Sequence, residues 1–381
     1  MKVLMISTDR NIFSEGSAVR QRMLEYGTLF EELHIVVFTL KASDFPTSIQ
    51  LSRNTFVYGT ASRGKLLYVF DALGLAKKIM RRHAFSRQTA VITAQDPFET
   101  GLVAFFAARS ADLAYQLQVH TDLMSPQFKR HSFLNRIRIP LAKFLLRRAS
   151  GIRVVSEKIG TSLKTLVLTC EPVVMPIYVS HKVRADRHDL RSIYPQFEII
   201  IIMATRFAPE KNTIFAIDVY ASIHDQFPKT GLLIYGAGPL EKKIHDLVSL
   251  SRVSSSVIVH PWQENLSSCF ESADIFLSTS LYEGYGMALV EATSAGMFVV
   301  TSDVGVAREL EKKTDRVRVV PDFSLEHFSL ILKKAIEDAK SNREKKPLHL
   351  EPPLVYGSKE EYLAAQKESL EAILRHSMNR L

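Results

Sequence analysis

The feature that most constrains this chain is a repeated alternation of short apolar, β-branched runs with amphipathic stretches. Five such runs stand in the first half: KVLMIS (2–7), LHIVVFTL (33–40), TAVIT (89–93), LAYQLQV (113–119) and GIRVVS (151–156). Six follow in the second: FEIIIIMAT (197–205), GLLIYG (231–236), SVIVH (256–260), IFLST (275–279), MFVVTS (297–302) and RVRVV (316–320). Strands with nearly continuous apolar character belong to parallel sheets buried on both faces, and the stretches between them (18–31 and 98–109, for example) have helical periodicity. Two series predict an α/β chain with two doubly wound, Rossmann-like parallel-sheet domains facing a cleft. The proline-flanked, charged segment 176–196 places the hinge. The expected division is a basic domain over 1–180, a linker over 181–196, a second domain over 197–355 and a final segment over 356–381. In that last segment Tyr362, Ala365, Leu370 and Ile373 share a helical face. A second break, charged and proline-rich, falls at 341–354.

The 381 residues suffice for two cores of ordinary size. The only cysteines, Cys170 and Cys269, form no CxxC pair, which argues against a zinc site or a disulfide framework and suits a reducing cytoplasm. The N-terminal apolar run is too short for a signal peptide, and no run approaches the roughly 20 residues that span a bilayer. A cytoplasmic protein, soluble or peripheral on a membrane, is expected. The net charge of +9 is uneven: residues 1–180 hold 24 Lys and Arg against 13 Asp and Glu (+11), leaving 25 against 27 (−2) for the rest. A basic first half points to an anionic partner: nucleic acid, membrane or phosphorylated ligand.

Open parallel sheets bind ligands beyond the carboxyl ends of their strands, so the motifs of interest are those that follow the apolar runs. In SLYEGYGMALVEA (280–292), a strand leads through a loop to a helix. Gly284 and Gly286 permit close backbone approach, and the amides of Met287, Ala288 and Leu289 would be the free donors of a helix N-terminus suited to phosphate. Glu291, one turn further on, would sit near such an anion without touching it, placed to accept both hydroxyls of a ribose diol. Glu283, before the turn, could hold hydroxyls attached on the other side. Nucleoside, diphosphate and sugar in that order describe a nucleotide-sugar. The same spacing also suits an ordinary capped helix with both glutamates solvated.

Four further segments stand in equivalent places. MATRFAPEKN (203–212) offers Arg206 as a planar fork and Lys211 as a point charge for a diphosphate, or simply surface charge. IYGAGPLEKK (234–243) has Gly236 and Gly238 after a strand, but Glu241 occupies the third glycine position of a dinucleotide fingerprint, which argues against NAD or FAD. STDRNIFSEGSAVRQRM (7–23) brings the small residues Gly16, Ser17 and Ala18 beside Arg20 and Arg22, in a phosphate-approaching or merely flexible loop. LQVHTDLMS (117–125) puts His120 at a strand end, where it could donate to a reacting oxygen or relay protons, or be a structural histidine.

In order and spacing these segments resemble the family-4 retaining glycosyltransferases of the GT-B fold. EGYGMALVE resembles the family's EGFG-type Glu-x7-Glu signature, TRFAPEKN its Arg…Glu-Lys segment, and YGAGPLEKK its GxGP turn. QDPFETG (95–101) and VHTD (119–122) resemble N-terminal segments of many members. The resemblance spans nearly the whole chain and is strongest over 200–310. It implies that the first domain binds the acceptor, the second binds the nucleotide-sugar, and the last helix returns to the first domain. It implies that Arg206 and Lys211 stabilise the leaving diphosphate, Glu291 holds the ribose, and Glu283, Tyr285, Gly286 and the backbone of Met287, Ala288 and Leu289 hold sugar and phosphate. His120 would lie near the transferred sugar, Gly16 and Gly238 near the donor, and the 260–262 loop near the base. The donor would be UDP- or GDP-linked, with no cofactor and no metal, since arginine, lysine and helix amides can replace a divalent cation. Two departures stand out: Pro261 within VHPWQE (259–264), and Val306 within SDVGVARE (302–309), each at a position where glycine is common.

The basic charge concentrates at 77–87 and 128–148. In the latter, Leu134, Ile137, Leu141, Phe144 and Leu145 form a helical stripe with Arg136, Lys143 and Arg147 off it, and Pro140 should kink or divide the helix. Such a helix suits either an anionic membrane surface or a core-facing role. The expected function is therefore transfer of a sugar from a nucleotide-sugar to a hydroxyl acceptor, a lipid-linked or cell-surface glycan intermediate, without nucleic acid as a partner. The rivals are a glycoside hydrolase using the two glutamates, a catalytically degenerate GT-B scaffold, and a basic polynucleotide-binding protein.

Overall fold

In a computed structural model, which describes residues 1–179, 189–263, 265–342 and 356–378, the chain forms two α/β units. The first comprises Met1–Val155, Ile159–Met175 and Ser358–Leu381; the second comprises Ser156–Lys158 and Pro176–Gly357. Half of the expected linker (181–188), nearly all of the 341–354 break and Glu264 of the VHPWQE segment lie outside the described residues.

The first unit is built on an eight-stranded sheet. From edge to edge it runs β3 (Ser48–Ser52), β4 (Thr55–Gly59), β2 (Glu32–Val37), β1 (Lys2–Ser7), β5 (Ala90–Ala94), β6 (Ala114–Val119), β7 (Gly151–Val154) and β8 (Pro172–Val174). All neighbours pair in parallel except β3 with β4. That hairpin and β8 escape the sequence reading. β3 is polar and largely exposed, so it lacks the apolar run by which the central strands announce themselves. The run read as 33–40 ends as a strand at Val37, and that read as 151–156 ends at Val154.

The second unit's sheet has six parallel strands: β9 (Ile199–Ala204), β10 (Thr230–Tyr235), β11 (Val257–His260), β12 (Ile275–Ser278), β13 (Phe298–Ser302) and β14 (Val317–Val320). Their spatial order is β11-β10-β9-β12-β13-β14, the doubly wound order 3-2-1-4-5-6. On one face Ile199, Ile201 and Met203 pack with Leu232, Ile234 and Leu277 beneath the helices Thr213–His224 and Leu325–Ser341. Tyr220, fully buried there, donates its hydroxyl to the Thr230 carbonyl at 2.7 Å, so its polar end is not stranded in the core.

The helix Lys359–Met378 packs against β5 and β6 in the first unit. Its apolar residues Tyr362, Leu370, Ile373 and Leu374 are buried, and so is Gln366. Gln116 donates to Ser369 at 2.8 Å, and Tyr362 meets the Tyr26 hydroxyl at 2.9 Å. Gly151 is the contact point: a β-carbon there would collide with Ile373 Cδ1. The substitution Gly151→Val should therefore cost about 1–3 kcal/mol by overpacking. Thermal denaturation should show it as a loss of a few degrees in Tm, and an unchanged Tm would mean that the helix is not seated on this strand.

Candidate active site

The order 3-2-1-4-5-6 reverses direction between β9 and β12, and this is where the crevice of a doubly wound sheet opens. The chain leaves β9 through Thr205–Asn212. It leaves β12 through Thr279–Gly286. These loops carry Arg206, Lys211 and Glu283. The two loops are sewn together: Thr279 Oγ1 donates to the Asn212 carbonyl at 3.0 Å, and Leu281 N–H to the Glu210 carbonyl at 2.8 Å. Asn212 takes a left-handed conformation (φ 51°) that turns the chain into the helix Thr213–His224.

Lys211 Nζ lies 2.5 Å from Glu283 Oε1, which also accepts from Ser280 Oγ at 2.8 Å. Arg206, 65% exposed, is held at one end by Glu210, whose side chain is 7% exposed. An ammonium has three donors and a guanidinium five, so each cation keeps donors for an incoming anion while a carboxylate fixes its position. The sequence reading gave Lys211 and Glu283 separate ligands, whereas the fold bonds them to each other. It assigned no role to Glu210 or Ser280. The only signal for Glu210 was its place inside the TRFAPEKN segment.

Gly286 caps the helix Met287–Ser294 with φ 92°, a conformation that costs glycine least. Leu289 N–H donates to the Gly286 carbonyl at 3.0 Å, so Leu289 is not a free donor, contrary to expectation, and the outward donors of this turn are Met287 and Ala288. Tyr285 is buried and donates its hydroxyl to the Ile177 carbonyl at 2.9 Å, so its ring anchors the loop. Its carbonyl accepts from Val306 N–H at 2.9 Å, and a β-carbon at Gly305 would collide with that same carbonyl. Val306, the departure noted in the sequence, is thus a buried support under this loop. Gly238 likewise faces the Phe207 backbone, which a β-carbon would meet at 2.6 Å; the GxGP turn packs against the loop after β9.

Glu291 stands apart. It is half-buried, on the same helical face as Met287, and burial raises its carboxyl above the usual range. It has no ion pair and no side-chain hydrogen bond among the described residues. A partly desolvated acceptor at a helix start is well placed to take donors from a ligand. At the end of β11, His260 stacks on Tyr235 at 4.5 Å and bonds to the Tyr194 hydroxyl at 2.9 Å, while Trp262 is exposed.

In the first unit the reversal lies between β1 and β5. Gln95, just after β5, accepts from Ser7 Oγ at 2.7 Å and from Thr8 N–H at 3.3 Å. Gly16 (φ 75°) precedes the helix Ala18–Gly27, with open space where a side chain would stand. His120 follows β6, and its Nε2 lies 3.1 Å from Gln118 Oε1. Gln118 donates through Nε2 to Thr93 at 2.9 Å and accepts from the buried Arg153 at 3.4 Å, which fixes its amide orientation. His120 therefore carries its proton on Nε2 and presents Nδ1 as an acceptor. Burial, followed by the nearby Arg153 and Arg22 charges, lowers its pKa from the ordinary 6.5 to about 3. Of the readings the sequence left open for His120, donation through the outward nitrogen does not match this arrangement, which offers Nδ1 as an acceptor.

Residues 189–347 match the family model described as Glycosyl transferases group 1. The poly(glycerol-phosphate) alpha-glucosyltransferase of Bacillus subtilis (strain 168) is 27% identical over 143 residues, 37% of this chain and 21% of that protein. The chain's matches span only 21% to 31% of the first two curated relatives. Sucrose-phosphate synthase from Thermosynechococcus elongatus superposes over 100% of this chain and 98% of its own, with a TM-score of 0.71 and 17% identity. Anabaena HepE, solved in complex with UDP and glucose, does so over the same shares with a TM-score of 0.67 and 17% identity.

The His120 geometry predicts that its ring resonances will not titrate between about pH 5 and 8 in an NMR series; a midpoint near 6.5 would refute the neutral state. Because the folded pKa is depressed, the histidine's contribution to stability is full above about pH 6.5 and declines as the pH falls toward 3. The chain is thus a two-domain α/β protein with the GT-B fold of these solved structures, and its residues 189–347 match the model of Glycosyl transferases group 1.

Proposed function

We propose that this protein is a glycosyltransferase that moves a sugar from a nucleotide-sugar to a hydroxyl acceptor with retention of configuration and without a metal. The observation that carries the reading is the second unit's switch point. Two tethered cations, Arg206 and Lys211, stand at the end of β9, and β12 is followed by the helix start at Met287 and by Glu291, an acceptor with no partner among the described residues. In this reading the diphosphate lies against Arg206, Lys211 and the Met287 and Ala288 amides. Glu291 takes the ribose hydroxyls and Glu283 the sugar hydroxyls, with Tyr285, Gly286 and Gly238 shaping the loops around them. The cations stabilise charge that grows on the leaving diphosphate, so their effect is larger in the transition state than in the ground state.

Retention would follow from same-face attack. The acceptor oxygen bonds to the anomeric carbon as the bond to the diphosphate breaks, and a phosphate oxygen takes the acceptor's proton. No enzyme nucleophile is needed, and Glu283, bonded to Lys211 and Ser280, is held as a positioning group. His120 Nδ1 would accept from a hydroxyl of the transferred sugar, with Gly16 leaving room for the donor. UDP and GDP are the nucleotides to test first; the solved Anabaena relative holds UDP and glucose.

A carboxylate that accepts two hydroxyl bonds contributes about 1.5–3 kcal/mol for each charged hydrogen bond, less where water competes. Glu291→Ala should therefore weaken nucleotide binding, measured by calorimetry in EDTA, by about ten- to a hundredfold. Saturable binding of neither UDP nor GDP would turn the reading toward a degenerate scaffold. Tight, salt-sensitive binding to any polynucleotide would turn it toward the nucleic-acid alternative.

The acceptor side of the proposal is a lipid-linked or cell-surface glycan intermediate, reached at the cytoplasmic face of a membrane. No helix among the described residues is long and apolar enough to cross a bilayer. What supports surface contact is the helix Phe133–Leu146. It runs through Pro140 unbroken, and the division expected there falls instead at Ser132, where the backbone is extended and the side-chain Oγ caps the helix by accepting from Asn135 N–H. Leu145 and Leu146 are buried, but Phe133 is 75%, Ile137 55% and Phe144 42% exposed. Leu134 is exposed as well, Arg136 and Arg147 stand in water beside them, and Arg148 covers the Phe144 ring at 3.8 Å. Apolar side chains ringed by arginine fit an anionic bilayer better than water. The segment 77–87, with Lys78, Arg81 and Arg82 exposed, adds charge of the same sign. The protein should cosediment with vesicles containing anionic lipid and not with neutral ones, and Phe133→Ser with Ile137→Ser should reduce the bound fraction about tenfold. Equal binding by the double variant would remove this helix from the proposal.

A further inference from the structure

A cluster unrelated to the donor residues sits at the other end of the first unit's sheet. β2 opens with Glu32 and carries His34 two residues on, so both project to one face. The helix Tyr68–Arg82 ends at His83, which returns to the same place. Glu32 Oε2 lies 2.9 Å from His34 Nε2 and 3.0 Å from His83 Nδ1, and the two imidazole rings are 4.1 Å apart. One ligand atom from each residue lies within 4.8 Å of the other two. We propose that Glu32, His34 and His83 form a binding site for a divalent transition metal, zinc being the ion their chemistry fits best.

The donor set is two imidazoles and one carboxylate, the borderline nitrogen and oxygen ligands that zinc takes with a fourth position left to water. Around a tetrahedral ion, ligand atoms at 2.0–2.1 Å from the metal stand about 3.3 Å from one another. The observed 2.9 and 3.0 Å from the carboxylate to each imidazole need to open by only a few tenths of an ångström, and the two imidazole nitrogens, within 4.8 Å of each other, need to stand at that same spacing. His34 is fully buried, while Glu32 and His83 are partly exposed, which gives an ion a path and a water ligand. The outer nitrogen of His34 has its own oxygen partner, the Tyr58 hydroxyl at 3.1 Å, which can hold the ring with Nε2 free to ligate. Phe56 and Phe85 wall the same ring at 5.0 and 5.7 Å. The positive charge nearest the cluster is Lys2. Its Nζ donates to the His83 carbonyl at 2.8 Å and stands 3.7 Å from Glu32 Oε1, the other oxygen of the carboxylate, which leaves Oε2 to the ion.

A metal here ties the start of β2 to the end of the helix Tyr68–Arg82, so its effect is on the stability of the first unit. The test uses the full chain after treatment with EDTA. Calorimetry should find one saturable equivalent of Zn²⁺ and no comparable binding of Mg²⁺, and Co²⁺ should give the intense visible bands of a four-coordinate site. His83→Asn and Glu32→Gln should each weaken Zn²⁺ binding at least tenfold and abolish the zinc-dependent rise in Tm. In EDTA each variant should unfold in a single cooperative transition with a Tm close to that of the metal-free wild type, which reports that its first unit is folded. Absence of saturable Zn²⁺ binding by the wild type, or equal affinity in His83→Asn, would show that the cluster is only a hydrogen-bonded triad and overturn the proposal.

Discussion

The parallel pairing of β9 with β12 is the constraint on which the candidate site depends. Lys211 and Glu283 are 72 positions apart in the chain, yet they meet at 2.5 Å. They meet because their strands are neighbours at the point where the strand order reverses. A right-handed crossover leaves the loops after such strands on the same edge of the sheet, with nothing between them. The other contacts of the candidate site are built on that adjacency: the Thr279–Asn212 and Leu281–Glu210 bonds, the anchoring of Tyr285, and the close fit of Gly305 against the Tyr285 carbonyl.

The electrostatics follow a related logic. Cations at the mouth of a sheet repel one another and lose order unless carboxylates hold them. Glu210 and Glu283 supply that restraint without consuming all the donors of Arg206 and Lys211. Glu291 has the reverse arrangement, an acceptor whose burial is not offset by any donor among the described residues. Preorganised donors and a waiting acceptor cost stability in the free protein and return it when a ligand of complementary charge arrives. The first unit shows the same contrast, where a buried arginine and a glutamine amide dictate which nitrogen of His120 carries the proton.

The central strands were readable from the chain because each is a continuous apolar run that only a two-sided parallel sheet would bury. The hairpin Ser48–Gly59 was not: its outer strand is a polar edge with no hydrophobic signature, and Thr55–Gly59 is too short and too polar at its ends to form a continuous apolar run, although it is buried at alternate positions. Pro140 suggested a broken helix, but removing one internal hydrogen bond is tolerable where Ala142, Leu145 and Leu146 hold the next turn in the core. The stripe Leu134, Ile137, Phe144 had two readings, and which of its side chains face water depends on the packing of neighbouring helices, which periodicity does not encode. The site segments were legible as residue types after strands. The hydrogen bonds that join or separate them were not, and the Glu32–His34–His83 cluster left no motif because its histidines come from different elements.

By itself the sequence determined the class of fold, the two-unit plan and the segments that would lie at strand ends, because hydrophobic burial and backbone propensity act locally and leave a periodic trace. Only the tertiary structure decided that Lys211 pairs with Glu283, that Leu289 is spent within its helix, that Tyr285 is an anchor and that His120 is a neutral acceptor. Those outcomes depend on distances between residues far apart in the chain and on the desolvation that packing imposes. Neither quantity exists until the strands have found their neighbours.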